Sequence, residues 1–549
     1  MDRHNGAAPD SESSLSSPSP SSLTRFDPPH GPGRLANPKA FDIALKPIEP
    51  ELGSPGIHSA APHPFWNHRC ARWLILVGTL VNLTFAAWPV VNHIRARVNE
   101  AHGRTVPVAW GFPKPAINLI GHFNKDYDLW RVVGVKTLRG ESVYPEPSTD
   151  AIFPFMYPPS AAVLLALSAT LGEPFQVVLL DAINMLSWVA VVIGSVLLAT
   201  GRAWGRHPVL YVLPSLAVLI LIQNIFMIGQ PNLGLLALMV GAFLALRAKR
   251  EGLAGALVAL AAGIKAFPLL AIVYFLWRRH DRATVSTIVT LAALLLVAPL
   301  PFRGPQGAWE DLSRWTRGML FKYDETSISQ RPYRSFSYKN QSIMGLAHRL
   351  FRDVPADGEK LADAQLRGTD PRLIGPVWKV TVVDLGFRGV SGLILASAAL
   401  AGLVFVAVMP SRNARTERSD TLEWAMLTLL IVIFSPLSFN YAYVWMIFPL
   451  TVAWTLALES PKGSARRRGL LVWAGVASLL PATAALEPRV AQAYGNLFWP
   501  SVVLLVGLGW ELRRLGRQAS THSAQAGFPA PSTLTHRTAR SASQPLSAS

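Results

Sequence analysis

Between Trp73 and Trp510 the chain returns repeatedly to long apolar runs, and no other feature narrows its possible folds so far. The runs cover Trp73–Val91 and then about Ala161–Leu171, Val177–Ala199, Val209–Met227, Leu233–Leu246, Leu253–Trp277 and Ala283–Pro299. They resume at about Gly389–Met409, Leu422–Phe434, Tyr441–Leu456, Leu470–Ala485 and Leu497–Trp510. A helix needs roughly 20 apolar residues to span the hydrocarbon core of a bilayer, and it satisfies its own backbone there. The pattern therefore predicts an all-α polytopic membrane protein with about 11 to 13 crossings, the shorter runs being tilted, re-entrant or half-buried. Only 15% of residues are charged, against about 25% in soluble proteins. The net charge of +18 would raise the question of nucleic acid in a soluble chain. Here the Arg and Lys residues lie between apolar runs and in the tails, the pattern of cytoplasmic loops and of contact with anionic headgroups. Nucleic acid is not an expected partner; membrane lipids are. The single cysteine, Cys70, excludes an internal disulfide and a cysteine-based metal cluster.

Residues 1–65 are rich in Ser, Pro, Gly and Ala, and residues 517–549 in Ser, Ala, Thr and Arg. Neither segment holds enough apolar surface to offset the entropy of ordering, so both read as disordered tails around a membrane domain at 66–516. The first tail has no basic start leading into an apolar core, so no signal peptide is expected. Arg247, Lys249 and Arg250, then Arg278, Arg279 and Arg282, then Arg412 and Arg415, Arg466–Arg468, and Arg513 with Arg514 mark cytoplasmic ends of spans. With both tails inside, the cell membrane is crossed an even number of times. Arg202 and Arg206 also belong inside, which requires that Ala161–Leu171 not cross fully. Two long segments, about 92–159 and 302–388, then face outward. Both are long and aromatic enough to carry short surface helices, and a bare helix bundle has no need of them.

The first outer segment contains Asn124-Lys-Asp126-Tyr-Asp128-Leu-Trp130, followed by a mostly apolar stretch to Gly140. Asp126 stands where a helix would begin and Gly140 where it would end. Asp126 reads either as an N-cap or as a general base taking a proton from an alcohol, with Asp128 a rival for that role. Gly229-Gln230-Pro231-Asn232 reads as a turn, or as a pair of amides offered to sugar hydroxyls. Lys265 lies 15 positions after Arg250 and 13 before Arg278, about 20 Å along a helix from either, beyond the reach of snorkelling. An ammonium at that depth costs roughly 3 kcal/mol unless it meets a cavity or an anion, and Pro268 beyond it breaks the helix. If both basic clusters are cytoplasmic, Lys265 sits at the outer tip of a short hairpin and suits a phosphate. Tyr338-Lys-Asn340-Gln341-Ser342, with Arg349 further on, reads as a solvated polar face. Ser435-Pro436-Leu437-Ser438-Phe439-Asn440-Tyr441 reads as a broken helix lining a cavity or as a plain turn. No phosphate-binding glycine loop and no metal-ligand spacing is present, and the reading needs neither a metal nor a cofactor.

Taken together, these pieces resemble glycosyltransferase family 87, the polyprenyl-phosphate-sugar-dependent transferases of the GT-C class. The resemblance spans about Arg72 to Arg514. It rests on Asp126-x-x-x-Trp130 before Gly140, on Tyr144 and Tyr157-Pro158-Pro159, and on Gly229-Gln230-x-Asn232. It continues through Gly255 with Ile264-Lys265-x-x-Pro268, Asn340-Gln341-Ser342 and Ser435-Pro436-x-Ser438. It implies a GT-C transmembrane bundle and transfer of a hexose, by resemblance mannose, with inversion from a polyprenyl-phosphate donor to a lipid or glycan acceptor outside the membrane. Asp126 would be the catalytic base and Lys265 the donor-phosphate ligand. Trp130, Tyr157, Gln230, Asn232, Asn340, Gln341, Ser435, Asn440 and Tyr441 would contact sugar or lipid. After Ser435-Pro436 the chain departs from the family's frequent Trp-x-His, carrying Phe439, Asn440 and Tyr441, so no histidine role is carried over there. A secondary transporter would show internal repeats and short outer loops, and an envelope polysaccharide ligase would differ in its acceptor.

Overall fold

The computed structural model describes residues 69–102, 125–147, 152–202, 207–358, 360–362, 376–485 and 488–526. The expected tail at 1–65 lies outside them, as do residues 527–549. Helices dominate what is described. In chain order they are α1 (Arg69–Ala101), α2 (Lys125–Leu138), α3 (Pro159–Ala169), α4 (Glu173–Thr200), α5 (Leu213–Ala217), α6 (Leu219–Ile228), α7 (Asn232–Arg247), α8 (Glu251–Ile264) and α9 (Ala271–Arg278). Then follow α10 (Asp281–Ala292), α11 (Leu300–Trp315), α12 (Ile343–Phe351), α13 (Gly386–Val408), α14 (Glu417–Phe434), α15 (Ile447–Glu459), α16 (Ala465–Leu479), α17 (Pro488–Ala493) and α18 (Phe498–Ala526). Helix α18 continues through the boundary expected at residue 517, so the second tail is helical as far as Ala526.

The polar contacts sort the bundle into two ends. At one, Arg247 donates to the carbonyls of Leu197 and Leu198 at the close of α4 and to Thr421 at the start of α14. His280 meets Glu251 at 2.7 Å, joining the starts of α8 and α10. Arg278 is bound by Glu423 and donates to the Pro410 carbonyl, and Arg466 meets Glu511 at 2.5 Å. The basic clusters thus gather together, as the positive-inside reading requires. At the other end lie α2, the Gly229–Asn232 turn, the 323–357 loop and α17. Between the two ends the chain passes through α1, α4, α5 with α6, α7, α8, α9, α10, α13, α14, α15, α16 and α18.

Four described helices are long and apolar enough to cross a bilayer, namely Arg72–Arg95, Pro174–Thr200, Gly386–Val408 and Asn440–Glu459. Two bent pairs, Pro208–Ala217 with Leu219–Ile228 at 65° and Asp281–Val297 with Leu300–Leu320 at 97°, would raise the number to 6. The other apolar runs are cut short by Gly, Pro or Lys265 into helices such as Asn232–Arg247 and Glu251–Ile264, which shelter against neighbours. Helix α3 resolves the topological tension over Ala161–Leu171. It is 11 residues long, about 16 Å, packs on α2, and begins with the Ser160 hydroxyl donating to the Gly263 carbonyl near Lys265. It stays at the end of the bundle opposite the arginine clusters, too short to span a bilayer by itself.

Helices α8 and α10 run side by side in the same direction. Ser286 donates to the Gly252 carbonyl, and Gly263 lies against Leu294. A Cβ on Gly255 would stand 2.1 Å from the Ala283 carbonyl oxygen, so only glycine permits this approach. Two parallel helices joined through α9 require α9 to return, which makes α8–α9 the expected hairpin and puts Lys265 at its tip.

Candidate active site

Helix α2 begins at Lys125, so Asp126 occupies its first turn rather than the cap position, and the N-cap reading gives way. Gly140 follows the helix end at φ +73°, where the sequence placed it. The side chain of Asp128 lies outside the described residues. Two aromatic side chains on α2 lock it to the end of α6. Trp130 Nε1 donates to the Gly229 carbonyl at 2.8 Å, and the Tyr127 ring lies flat against Gly229, where a Cβ would stand 2.8–2.9 Å from its carbons. Gly229 itself has φ +81°, closing α6 before Asn232 opens α7. The turn reading of this motif holds, and its two amides face Asp126, Tyr157 and Lys265.

Those amides connect the acid to the cation. Gln230 donates from Nε2 to Asp126 Oδ2, and its Oε1 accepts from the Tyr157 hydroxyl at 2.9 Å and from Lys265 Nζ at 3.4 Å. Lys265 also donates to Asn232 Oδ1 at 3.2 Å. Its backbone leaves α8 in an extended conformation at φ −150°, and a short 3-10 turn over Phe267–Leu270 follows. The ammonium faces three aromatic rings, Tyr441 at 5.1 Å, Tyr157 at 5.3 Å and Phe267 at 5.9 Å. Amide oxygens and ring faces stabilise a cation without cancelling its charge. Positioned by α2, the 229–232 turn and the α8 terminus, this cluster holds a carboxylate and an ammonium on either side of one amide.

The other residues singled out in the sequence divide. Trp130 stands edge-on to Tyr157 at 4.9 Å, and Tyr144 donates to the Tyr157 carbonyl at 2.6 Å, so these aromatics wall the cluster. Asn440 opens a short 3-10 segment over Asn440–Met446, its Oδ1 accepting from the Tyr441 amide at 2.8 Å. Asn340 and Gln341 are fully buried and committed to backbone. Asn340 Nδ2 donates to the carbonyls of Ser335 and Pro436, and its Oδ1 accepts from the amides of Ser342 and Ser438. Gln341 Nε2 donates to the carbonyls of Tyr338 and Gln492. Together they stitch the 323–357 loop to the Ser435–Pro436 break, where Ser435 is buried and Pro436 exposed. Arg349 is no solvated loop residue either. It is fully buried and donates to the carbonyls of Ala493, Phe336, Ser337, Asn340 and Gly345.

Three residues of interest escaped the sequence reading. Arg331 donates to the Phe153 carbonyl at 3.0 Å and lies within electrostatic range of Tyr157. Asp181, on α4, accepts from the Tyr127 hydroxyl; a carboxylate inside the Val177–Ala199 run was the signal that could have found it. His348, on α12, meets Tyr323 at 2.9 Å and Arg352 at 3.2 Å; burial, with the guanidinium beside it, pushes the imidazole down to about 3.

No solved structure matches the chain. It is 26% identical over 437 residues, 73% of this chain and 86% of the relative, to the polyprenol-phosphate-mannose-dependent alpha-(1-2)-phosphatidylinositol mannoside mannosyltransferase of Mycolicibacterium smegmatis (strain ATCC 700084 / mc(2)155). Neither comparison favours a transporter or a polysaccharide ligase. The family model of Glycosyltransferase family 87 matches residues 155–436, a segment that includes Tyr157, Gln230, Asn232 and Lys265 and begins after Asp126. Covering just over half of the 549 residues, that match makes this membrane protein a glycosyltransferase, and the chain belongs to glycosyltransferase family 87.

Proposed function

We propose that the protein transfers a hexose, specifically mannose, from a polyprenyl-phosphate donor to a lipid acceptor, with inversion at the anomeric carbon, on the outer face of the cell membrane. The observation that carries the reading is the bridge Asp126–Gln230–Lys265, which brings an acid and a cation from distant parts of the chain to the end opposite the arginine clusters. Asp126 takes the proton from the acceptor hydroxyl as its oxygen attacks the anomeric carbon. Lys265 neutralises the phosphate as it departs with the polyprenyl chain, and Gln230 holds the two charges apart so that they do not quench each other. Charge stabilisation at a water-poor site of this kind contributes several kcal/mol. The positive-inside rule puts the arginine end and both termini in the cytoplasm. A lipid-linked donor suits the far side, where nucleotide sugars are absent. The M. smegmatis relative, whose name specifies a polyprenol-phosphate-mannose donor and a phosphatidylinositol mannoside acceptor, supports mannose and a lipid acceptor.

Membranes containing the protein, incubated with labelled polyprenyl-phosphate-mannose, should yield a labelled lipid. Asp126→Asn should lower its formation by about 10²- to 10⁴-fold, the usual worth of a positioned general base, while the variant remains folded in the membrane. Full transfer by Asp126→Asn would refute the assignment.

A further inference from the structure

Helix α4 carries a carboxylate in a place where an apolar residue would serve the bundle better. Asp181 lies within the candidate span Pro174–Thr200 and is only 2% exposed. Ionisable groups at such depth are costly to the fold and are retained where they serve a function. Among the described residues, Asp181 forms no ion pair, and its Oδ1 accepts from the hydroxyl of Tyr127. Tyr127 directly follows Asp126, and its hydroxyl, while donating to Asp181 Oδ1, lies 2.9 Å from the Phe226 carbonyl at the end of α6. Its ring is wedged against Gly229. One turn along α2, Trp130 is tied to the carbonyl of the same glycine. The first turn of α2 is thus held at its hydroxyl tip by α4 and along its ring by the turn that presents Gln230 and Asn232.

We infer that Asp181 is a positioning residue for the transfer reaction, acting through Tyr127 to fix where Asp126 stands relative to Lys265. A tyrosine hydroxyl has one proton to give. With Asp181 present, that proton is directed into α4 and the ring angle is set. Without it, the hydroxyl is left with the Phe226 carbonyl alone, and the ring angle and the adjoining backbone are held less closely. Lys265, just past α8, and Asn232, at the start of α7, bond to each other and not to Tyr127 or Asp181. Losing Asp181 should therefore impair the chemical step and spare donor binding, since misplacing a reacting group is expressed mainly in kcat.

The inference rests on the transferase reading above, and its test has one arm that does not depend on turnover. Asp181→Ala and Tyr127→Phe should each lower kcat for mannose transfer by on the order of 10- to 100-fold with donor KM within about twofold of wild type. The double variant should be no worse than the poorer single one, because both remove the same bond. Asp181→Asn retains an oxygen that accepts the tyrosine proton and should restore most of kcat. In the turnover-free arm, hydrogen exchange of the backbone amides of residues 125–134 should quicken in Asp181→Ala and return to the wild-type rate in Asp181→Asn. The positioning role is overturned if residues 125–134 exchange alike in wild type and Asp181→Ala. It is likewise overturned if Asp181→Asn is as impaired as Asp181→Ala, or if the single losses multiply in the double variant. Absence of mannose transfer by wild type, with the exchange pattern as described, would instead count against the transferase reading alone.

Discussion

Replacing Lys265 with methionine separates a functional cation from a structural one. The substitution keeps an unbranched side chain one atom shorter and removes the ammonium that donates to Gln230 Oε1 and Asn232 Oδ1 and faces Tyr157, Tyr441 and Phe267. On the stability side the effects oppose one another. Removing a cation from membrane depth relieves roughly 3 kcal/mol. Lost cation–π contact returns about 0.5–2 kcal/mol, and the unpaired Asn232 oxygen about 1–2 kcal/mol more. Gln230 Oε1 keeps the Tyr157 hydroxyl and loses less. The sum lies near zero, so the melting temperature in detergent should stay within a few degrees of wild type. Activity has no such compensation. A preorganised charge aimed at a departing phosphate is worth about 3–4 kcal/mol in the transition state, which is 10²- to 10³-fold in kcat. The assay pairs initial rates of mannose transfer from labelled polyprenyl-phosphate-mannose with thermal unfolding of the same preparation. Transfer within threefold of wild type would refute the phosphate role. Loss of activity matched by loss of folded protein would make Lys265 a structural element.

Other outcomes follow from the same geometry. Gly229→Ala forces an alanine to φ +81° and its Cβ into the Tyr127 ring; it should cost about 1–2 kcal/mol of stability and roughly tenfold or more in kcat as α2 is displaced, measured by thermal melts and initial rates. Arg349→Leu removes the donor shared by the carbonyls of Phe336, Ser337, Asn340 and Ala493, and should destabilise the protein by about 3 kcal/mol, seen as a lower melting temperature. His348 is held neutral in the folded protein, its imidazole down to about 3, whereas unfolded chains protonate near the ordinary histidine value. The unfolded state therefore binds the extra proton between those limits, and this contribution, complete above about pH 6.5, is lost as pH falls toward 3. Melting temperatures of wild type should drop more steeply than those of His348→Gln between pH 7.5 and 4.5.

The parts of this molecule legible in its sequence are those where one residue conflicts with its surroundings. Lys265 was conspicuous because an ammonium midway between two basic clusters has no route to water, and the fold places it at a hairpin tip among amides and rings. Asp126 and Gly140 framed a helix because a start and a stop signal flanked an apolar stretch, and α2 fills that frame. Asn340, Gln341 and Arg349 were misread for a common reason. Polar side chains in a loop look alike on paper whether they bind a sugar or satisfy stranded carbonyls. Only the path of the 336–345 backbone, with α17 beside it, reveals which carbonyls lack donors. Hydropathy does not say which runs form long straight helices and which form short ones, because it records only that a segment is sheltered, whether by lipid or by neighbouring helices. Asp181 passed unnoticed inside a run that was otherwise wholly convincing as a span.

Helix α11 carries an implication for the lipid environment. It departs at 97° from the span that precedes it, and Arg303 within it grips both Asp311 and the Gly140 carbonyl at the far end of α2. Helix α2 is therefore strung between a clasp at Gly229 and a helix hinged at the 97° bend. A thicker or thinner bilayer changes the angle of that hinge first. Turnover should accordingly vary with the acyl-chain length of the surrounding phospholipid, even though no acyl chain needs to touch the acid.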